Sequence, residues 1–466
     1  MDVRIKFLGA VRSVTGSKYL LEIDEKRLLV DCGLFQGVKE LRLRNWNQLP
    51  IDPSKIDFVV ITHAHIDHTG YLPRLVKDGF GGKIYCTQAT VDLMSILLLD
   101  AGKLQEEEAQ FAAKRGYSKH TKPEPLFSAD DARMVLGMIE GSPLNERIQV
   151  TNSISIVFRN AGHILGASIV EMYIRGHEQE KKIVFSGDLG REEDPIMLPP
   201  TAIHQADILL IESTYGDRVN PMSEVENDLA QAINDSYNSR GTVIMPAFAV
   251  GRTQNLLYYL NKLMESRMIP KIPIFIDSPM AISVTGLYEK HRANHRLSVE
   301  NKLGNLFSIF DSPNIHFCNS SESSKELNDR REPGIIISAS GMCTGGRILH
   351  HLYHRLPNKN DTILFVGYQA EGTRGRDILN GADSVRIFGI EVPVKCSVKE
   401  IHGLSAHADQ LELMNWVSHF ESSPKMTFVT HGEMTAATTL QTMIRSKGWN
   451  CALPEYLESF ELFSSI

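Results

Sequence analysis

The feature that most restricts this chain is a nine-residue run, Thr62-His63-Ala64-His65-Ile66-Asp67-His68-Thr69-Gly70. It places three imidazoles and one carboxylate within the six positions from His63 to His68. That mixture of ring nitrogens and carboxylate oxygens suits zinc. The run follows Ile56-Asp57-Phe58-Val59-Val60-Ile61. This β-branched apolar stretch predicts a buried strand, so the ligands sit where a strand opens into a loop. His63 and His65 are two apart and can point to one side, and Asp67 and His68 arrive from the following turn. A single catalytic zinc uses three protein ligands and a water. Four ligands at this spacing therefore point to two adjacent ions that share further ligands from elsewhere in the chain.

Composition sets the frame for those further ligands. At roughly 150 residues per domain, the 466 residues allow about two to four domains and a large core. A hydrophobic fraction of 42% with 23% charged residues is that of an ordinary soluble protein. No apolar run reaches bilayer-spanning length, and the opening residues 1–9 enter a strand pattern without a signal-peptide core. No membrane association and a cytoplasmic location are expected. The six cysteines are scattered without paired spacing, so they are expected to be reduced and mostly buried. A net charge of -7 argues against a general nucleic-acid coat. A locally basic cleft or bound metal cations could still attract a polyanion.

In chain order, residues 3–8, 17–23 and 26–31 read as antiparallel strands, the last two joined by a tight turn at Asp24-Glu25. Asp31 ends its strand ahead of Cys32-Gly33, where a carboxylate can hold a histidine ligand in the right tautomer or serve only as a turn residue. Helices are expected over 73–78 and 88–99. A charged, solvated helix and then an exposed segment follow, with His120 at the surface. His163 lies between Gly162 and Gly166, where the backbone can bend closely around an ion. Residues 182–187 form a strand that ends at Asp188, whose two oxygens could bridge a metal pair. A second buried strand delivers Glu212 at its end. From about 220 to 394 the pattern alternates helices with short apolar strands, the signature of a parallel α/β sheet. Two small-residue turns, one before Arg252 and one containing Ser340-Gly341, could cradle phosphate at helix N-termini. His350, His351 and His354 cluster on one helix without a completing glutamate, and are expected to be packed or solvated.

The ordered set Asp31, His63-Ala64-His65-Ile66-Asp67-His68, His163 and Asp188 resembles the metallo-β-lactamase superfamily. Glu212-Ser213-Thr214-Tyr215-Gly216, Ser405-Ala406-His407-Ala408-Asp409 and Val429-Thr430-His431-Gly432-Glu433 resemble the three extra motifs of the β-CASP nucleases within it. The pattern is similar to the endonuclease subunit of the cleavage and polyadenylation specificity factor and its bacterial and archaeal counterparts. The resemblance implies a four-layered αββα domain into which a parallel-sheet α/β β-CASP domain is inserted. The expected borders are 1–213 and 396–466 for the first domain and 214–395 for the insertion.

The same resemblance implies two zinc ions. His63, His65 and His163 would hold one, and Asp67, His68 and His431 the other, with Asp188 between them. That set leaves His407 over as a proton donor oriented by Glu212, with Asp31 supporting the centre. Arg252, Ser340 and Gly341 are the candidates for substrate phosphate. The implied activity is endonucleolytic, with exonuclease action also open, on single-stranded RNA, and a homodimer or processing-complex partners are compatible with it. The competing readings are a DNA-directed β-CASP nuclease, which usually lacks a histidine at the place of His431, and a small-molecule metallo-hydrolase of the same superfamily.

Overall fold

In Val3–Phe7 the side chains alternate: Val3, Ile5 and Phe7 are fully buried while Arg4 faces solvent. That period of two makes one face of a sheet apolar, and the apolar face needs a partner layer. The computed structural model describes residues 2–115, 123–176, 179–220, 224–297, 310, 312–369 and 371–464, so His120 lies outside the described residues. Two units are present. The first comprises Met1–Asp194, Leu198–Val219 and His407–Ile466, and the second Pro195–Met197 and Asn220–Ala406.

The first unit holds two seven-stranded sheets. One is ordered Ser459–Phe463, Val3–Phe7, Tyr19–Ile23, Lys26–Val30, Phe58–Val60, Lys83–Thr87 and Ile139–Ser142. The other is ordered Cys451–Ala452, Met426–Thr430, Ile208–Glu212, Glu180–Phe185, Ser168–Arg175, Ile154–Asn160 and Arg147–Gln149. Each sheet is antiparallel on one half and parallel on the other. Phe7, Leu21, Val30 and Val60 of the first sheet meet Phe158, Met172, Leu210 and Phe428 of the second in one core. Helices such as Gln88–Arg115 and Met434–Ser446 pack on the sheets from outside, which completes the αββα layering. Parallel strands send their C-terminal ends to a common edge. Asp31, residues 62–68, Asp188, Glu212 and His431 all lie at or just past such ends.

The helix expected over 88–99 runs unbroken from Gln88 to Arg115. Gly102 and the polar residues after it weaken the apolar stripe, so the sequence pattern fades before the helix does. Tertiary contact supplies the reason. A Cβ on Gly102 would come within 2.7 Å of the Ala129 Cα, so the glycine lets the helix Ala129–Leu136 approach closely. Glu106 then accepts the Ala129 N–H at 3.2 Å.

The second unit is built on a six-stranded sheet whose strand pairs are all parallel, ordered Ile315–Phe317, Ile274–Asp277, Gly334–Ser338, Thr242–Pro246, Thr362–Phe365 and Ser397–Glu400. Every residue of Gly334–Ser338 is buried, as helices covering both faces of a parallel sheet require. The sequence border at 395/396 needs a correction. Ser397–Glu400 pairs with Thr362–Phe365 inside this sheet, so the second unit continues to Ala406. That strand is short and mostly exposed, so hydrophobicity could not reveal its partner. His351 is fully buried, its Nε2 2.6 Å from Asp277 Oδ2, and the Asp277 carboxylate also accepts hydrogen bonds from Ser324 and Arg347. It is a packed residue.

All six cysteines are unpaired and five are buried. Among the described residues no helix is long and apolar enough to cross a membrane.

Phe7 links both sheets of the first unit, with ring centroids 5.1 Å from Phe428, 5.9 Å from Tyr19 and 5.9 Å from Phe460. Phe7→Ala is expected to cost about 3–5 kcal/mol of unfolding free energy, read as a lowered denaturation midpoint. A change under about 1 kcal/mol would show that the two sheets do not share this core.

Candidate metal centre

Strand ends position the site because a backbone leaving a sheet must turn sharply. Asp31 and His431 each follow a strand in the left-handed region, at φ 59° and 47°. Non-glycine residues seldom adopt it, and such strain concentrates at functional sites. The turns are fixed by Asp31 N–H donating to Val60 O at 2.8 Å and His431 N–H donating to Ala10 O at 2.7 Å.

Asp188 stands at the middle. Its Oδ2 lies 3.4 Å from His63 Nε2 and 3.7 Å from His163 Nε2, and its Oδ1 lies 3.4 Å from His68 Nε2. His65 Nδ1 is 3.2 Å from both His63 Nε2 and His163 Nε2. On the other side, His431 Nε2 is 3.2 Å from His68 Nε2 and 3.3 Å from Asp67 Oδ2. Three donor groups result: His63, His65, His163 and Asp188, beside them Asp67, His68 and His431, and a third of Asp188, Glu212 and His407 that shares Asp188 with the first.

Partners behind the rings set their tautomers. His68 Nδ1 is 2.7 Å from Asp31 Oδ2, so it carries a proton and Nε2 is the nitrogen that faces inward, free to ligate once its own proton leaves. Thr62 Oγ1 lies 2.9 and 3.1 Å from the Asp31 oxygens and 3.1 Å from His63 Nδ1. Its hydroxyl donates to the carboxylate and accepts from the ring, which turns His63 Nε2 inward too. Thr214 Oγ1, 3.1 Å from His431 Nδ1, stands in the same place behind that ring.

The electrostatics call for cations. Both Asp188 oxygens are buried and accept no hydrogen bond among the described residues, and burial pushes its carboxyl above the ordinary range. Leaving a carboxylate buried without a partner costs several kcal/mol. Burial and the neighbouring imidazoles hold His63 well below its ordinary value, and burial brings His65 down to about 4, so both rings are neutral donors. Burial opposes charge on His68, yet Asp188 and Asp31 outweigh it and push the ring up to about 10. Burial also pushes Asp67 up, but the His431 hydrogen bond and nearby imidazole charge outweigh it and hold the carboxyl low. Inward lone pairs, an unsatisfied central carboxylate and a set of nitrogen and oxygen donors fit metal ions.

His407 is placed differently. Its Nδ1 is 3.1 Å from Glu212 Oε1, and its side chain keeps 20% exposure where Glu212 has 1%. Glu212 also accepts the Leu189 and Thr214 N–H groups, at 2.8 and 3.1 Å. Burial opposes charge on His407, but Glu212 prevails and pushes the ring to about 9.

Residues 14–221 match the metallo-beta-lactamase superfamily, 253–378 the Beta-Casp domain, and 391–454 the Zn-dependent metallo-hydrolase RNA specificity domain. The chain is similar to the ribonuclease TTHA0252 of Thermus thermophilus, with 35% identity over 457 residues, 98% of this chain and 99% of the relative. The chain belongs to the β-CASP ribonuclease family of the metallo-β-lactamase superfamily. It is also 31% identical to an RNase J-like protein of Methanocaldococcus jannaschii, over 92% of this chain and 93% of that one. To the transcription termination factor FttA of Methanosarcina mazei it is 30% identical, over 96% and 69%. A crystal structure of a protein of unknown function from Enterococcus faecalis shares the fold, with a TM-score of 0.54, 14% identity and coverage of 99% and 100%.

Membership of this family makes the chain a metal-dependent hydrolase. The first of the three extra motifs, Glu212 to Gly216, contains Thr214, to which the sequence alone assigned no role. Thr62 was missed as well, although it directly precedes His63. Their signal was position alone, because a threonine beside a ligand shows its partner only when the rings are placed. Arg191 was likewise missed. It is buried, 3.1 Å from Glu412 and 3.4 Å from Asp409, and so ties the loop after Asp188 to the helix Gln410–Ser418. Arg252, Ser340 and Gly341 belong to the second unit, at the C-terminal edge of its parallel sheet. Arg252 opens the helix Arg252–Glu265 with its guanidinium beside Gly367. The Ser340 hydroxyl accepts the Thr344 N–H at 3.0 Å, and Gly341 lies against the Phe248 ring.

Asp31→Asn, which removes the acceptor behind His68, is expected to weaken metal binding roughly 10- to 100-fold in equilibrium dialysis. Without metal the His68 ring holds its proton below about 10, so binding must expel that proton. Apparent affinity should therefore rise with pH until about 10. A flat profile would remove His68 from the ligand set.

Proposed function

We propose that this protein is a zinc-dependent ribonuclease that hydrolyses phosphodiester bonds of single-stranded RNA, chiefly as an endonuclease, in RNA processing or decay in the cytoplasm. The carrying observation is Asp188, whose two buried, unbonded oxygens each face a separate group of histidines. His63, His65 and His163 would hold one ion and Asp67, His68 and His431 the other, with Asp188 available to both. A zinc pair supplies an activated water and charge neutralisation at a phosphodiester.

The chain's own residues do the rest. Asp31 and Thr62 keep His68 and His63 in the ligating tautomer. Glu212 orients His407 and stabilises its protonated ring, so that His407 can deliver a proton to the leaving oxygen. Its partial exposure, shared with Asp67, suits a group that must meet substrate. Arg252 and the turn of Ser340 and Gly341 are assigned to the RNA backbone, since strand-to-helix turns present N–H groups to phosphate. RNA is preferred to DNA because the matched relatives are named as a ribonuclease and an RNase J-like protein, and because His431 is present.

Purified protein is expected to hold close to two zinc equivalents, and Asp188→Ala to lose both. One tightly held ion, unchanged in Asp188→Ala, would overturn the bridge. His407→Ala should keep the metal content but slow cleavage of end-labelled single-stranded RNA by roughly 10²–10⁴-fold, the usual scale for a general acid. His431→Ala should lower zinc occupancy. Loss of metal in His407→Ala, or full activity, would move His407 out of the proton-donor role.

A further inference from the structure

The stretch from Val38 to Asn47 has no part in the metal centre, yet its surface is unusual. Lys39–Arg44 forms a short helix with no buried residue, and Trp46 N–H and Asn47 N–H continue its turn by donating to Leu43 O and Arg44 O. Positions i, i+3, i+4 and i+7 share one face of such a turn. Here they are Lys39, Arg42, Leu43 and Trp46, and all four are exposed. Leu43 is 53% and Trp46 52% exposed, and Val38 beside them 43%. The opposite side is tied down: Asn45 is buried, accepting from Phe35 N–H at 2.9 Å and donating to Phe35 O at 2.8 Å. Arg44 lies over the rings of Tyr456 and Phe35.

This face is rigidly connected to the metal-ligand loop. Phe35 follows Gly33 and Leu34, and Cys32 N–H and Leu34 N–H donate to His68 O and Ile66 O at 2.7 and 3.0 Å. A Cβ on Gly33 would collide with the Asp67 carbonyl. The anchor therefore leads from the ligand turn, through two residues, to the exposed helix.

We propose that Lys39, Arg42, Leu43 and Trp46 form a docking surface for single-stranded RNA outside the metal centre. The proposal rests on the nuclease reading and extends it to the substrate flanking the scissile bond. Charge supports this occupant: residues 38–47 carry Lys39, Arg42 and Arg44 against Glu40 alone, in a chain of net charge -7. An exposed tryptophan on the same face as two cations has the composition of a base-stacking platform, since each base offers a ring face and each phosphate a negative charge. Leu43 and Val38 widen the apolar floor.

Trp46 supplies its own probe, because Trp416 is buried and Trp449 half-buried. The protein, in the His407→Ala background so that the RNA survives, is titrated into fluorescein-labelled single-stranded oligouridylate while the label's anisotropy reports affinity for parent and variants alike, and tryptophan emission of the parent is followed alongside. Binding should quench Trp46, and Trp46→Ala should weaken it about tenfold or more, with Trp46→Phe restoring most of the loss. Replacing Lys39 and Arg42 by alanine should lower the slope of log K against log salt by about 0.7 per lost phosphate contact. If these variants bind oligouridylate as tightly as their parent while the unmodified protein cleaves RNA, the docking surface is overturned and the nuclease reading stands. If the unmodified protein cleaves no RNA but Trp46-dependent binding persists, the surface stands and the nuclease reading falls. Dissociation of an oligomer in the variants, with RNA affinity unchanged, would assign the face to a protein interface and overturn the proposal.

Discussion

One carboxylate, Asp188, governs how this site is built. It is buried just past Glu180–Phe185 without a hydrogen-bond donor among the described residues, and several kcal/mol of desolvation must be offset by cations around it. The six histidine and aspartate side chains of the first two donor groups surround it, and each comes from a different turn or from the loop at 62–68. A cluster of polar groups this dense cannot form on a single element. It needs two sheets whose strands end at one edge and whose apolar faces are already stabilised by a shared core.

The polar groups behind the rings matter as much as the rings themselves. Asp31 and Thr62 serve His68 and His63, Thr214 stands behind His431, and Arg191 connects the Asp188 loop to the helix that follows His407. Each of these contacts fixes a rotation or a proton, so the donors meet a cation without reorganising. His407 is the exception that gives the site its chemistry. Its nearest partner is Glu212, at 3.1 Å, with the Asp188 carboxylate farther off at 3.9 Å, and its ring keeps 20% exposure.

Much of this was legible from residue order. The density of the 63–68 run, the glycines around His163 and the acids at strand ends each carry their chemistry in type and spacing, and the ordered motifs identify the family. Less legible were features that depend on a partner far along the chain. The helix at 88–115 outlasts its apolar stripe because Gly102 meets Ala129. The strand Ser397–Glu400 is too short and too polar to announce that it pairs with Thr362–Phe365. Thr62 and Thr214 look like any threonine until a ring stands beside them.

The sequence by itself determined which atoms are available: the imidazoles, the carboxylates, the apolar strands that present them and the family to which their order belongs. Only the tertiary structure decided the distances at which those atoms meet and the groups that stand behind the rings, with Asp31 behind His68, Thr62 behind His63 and Thr214 behind His431. The physical reason is separation in the chain. His68 and His431 approach within 3.2 Å across 363 positions, and a distance of that kind is fixed by sheet packing, which local residue patterns do not encode.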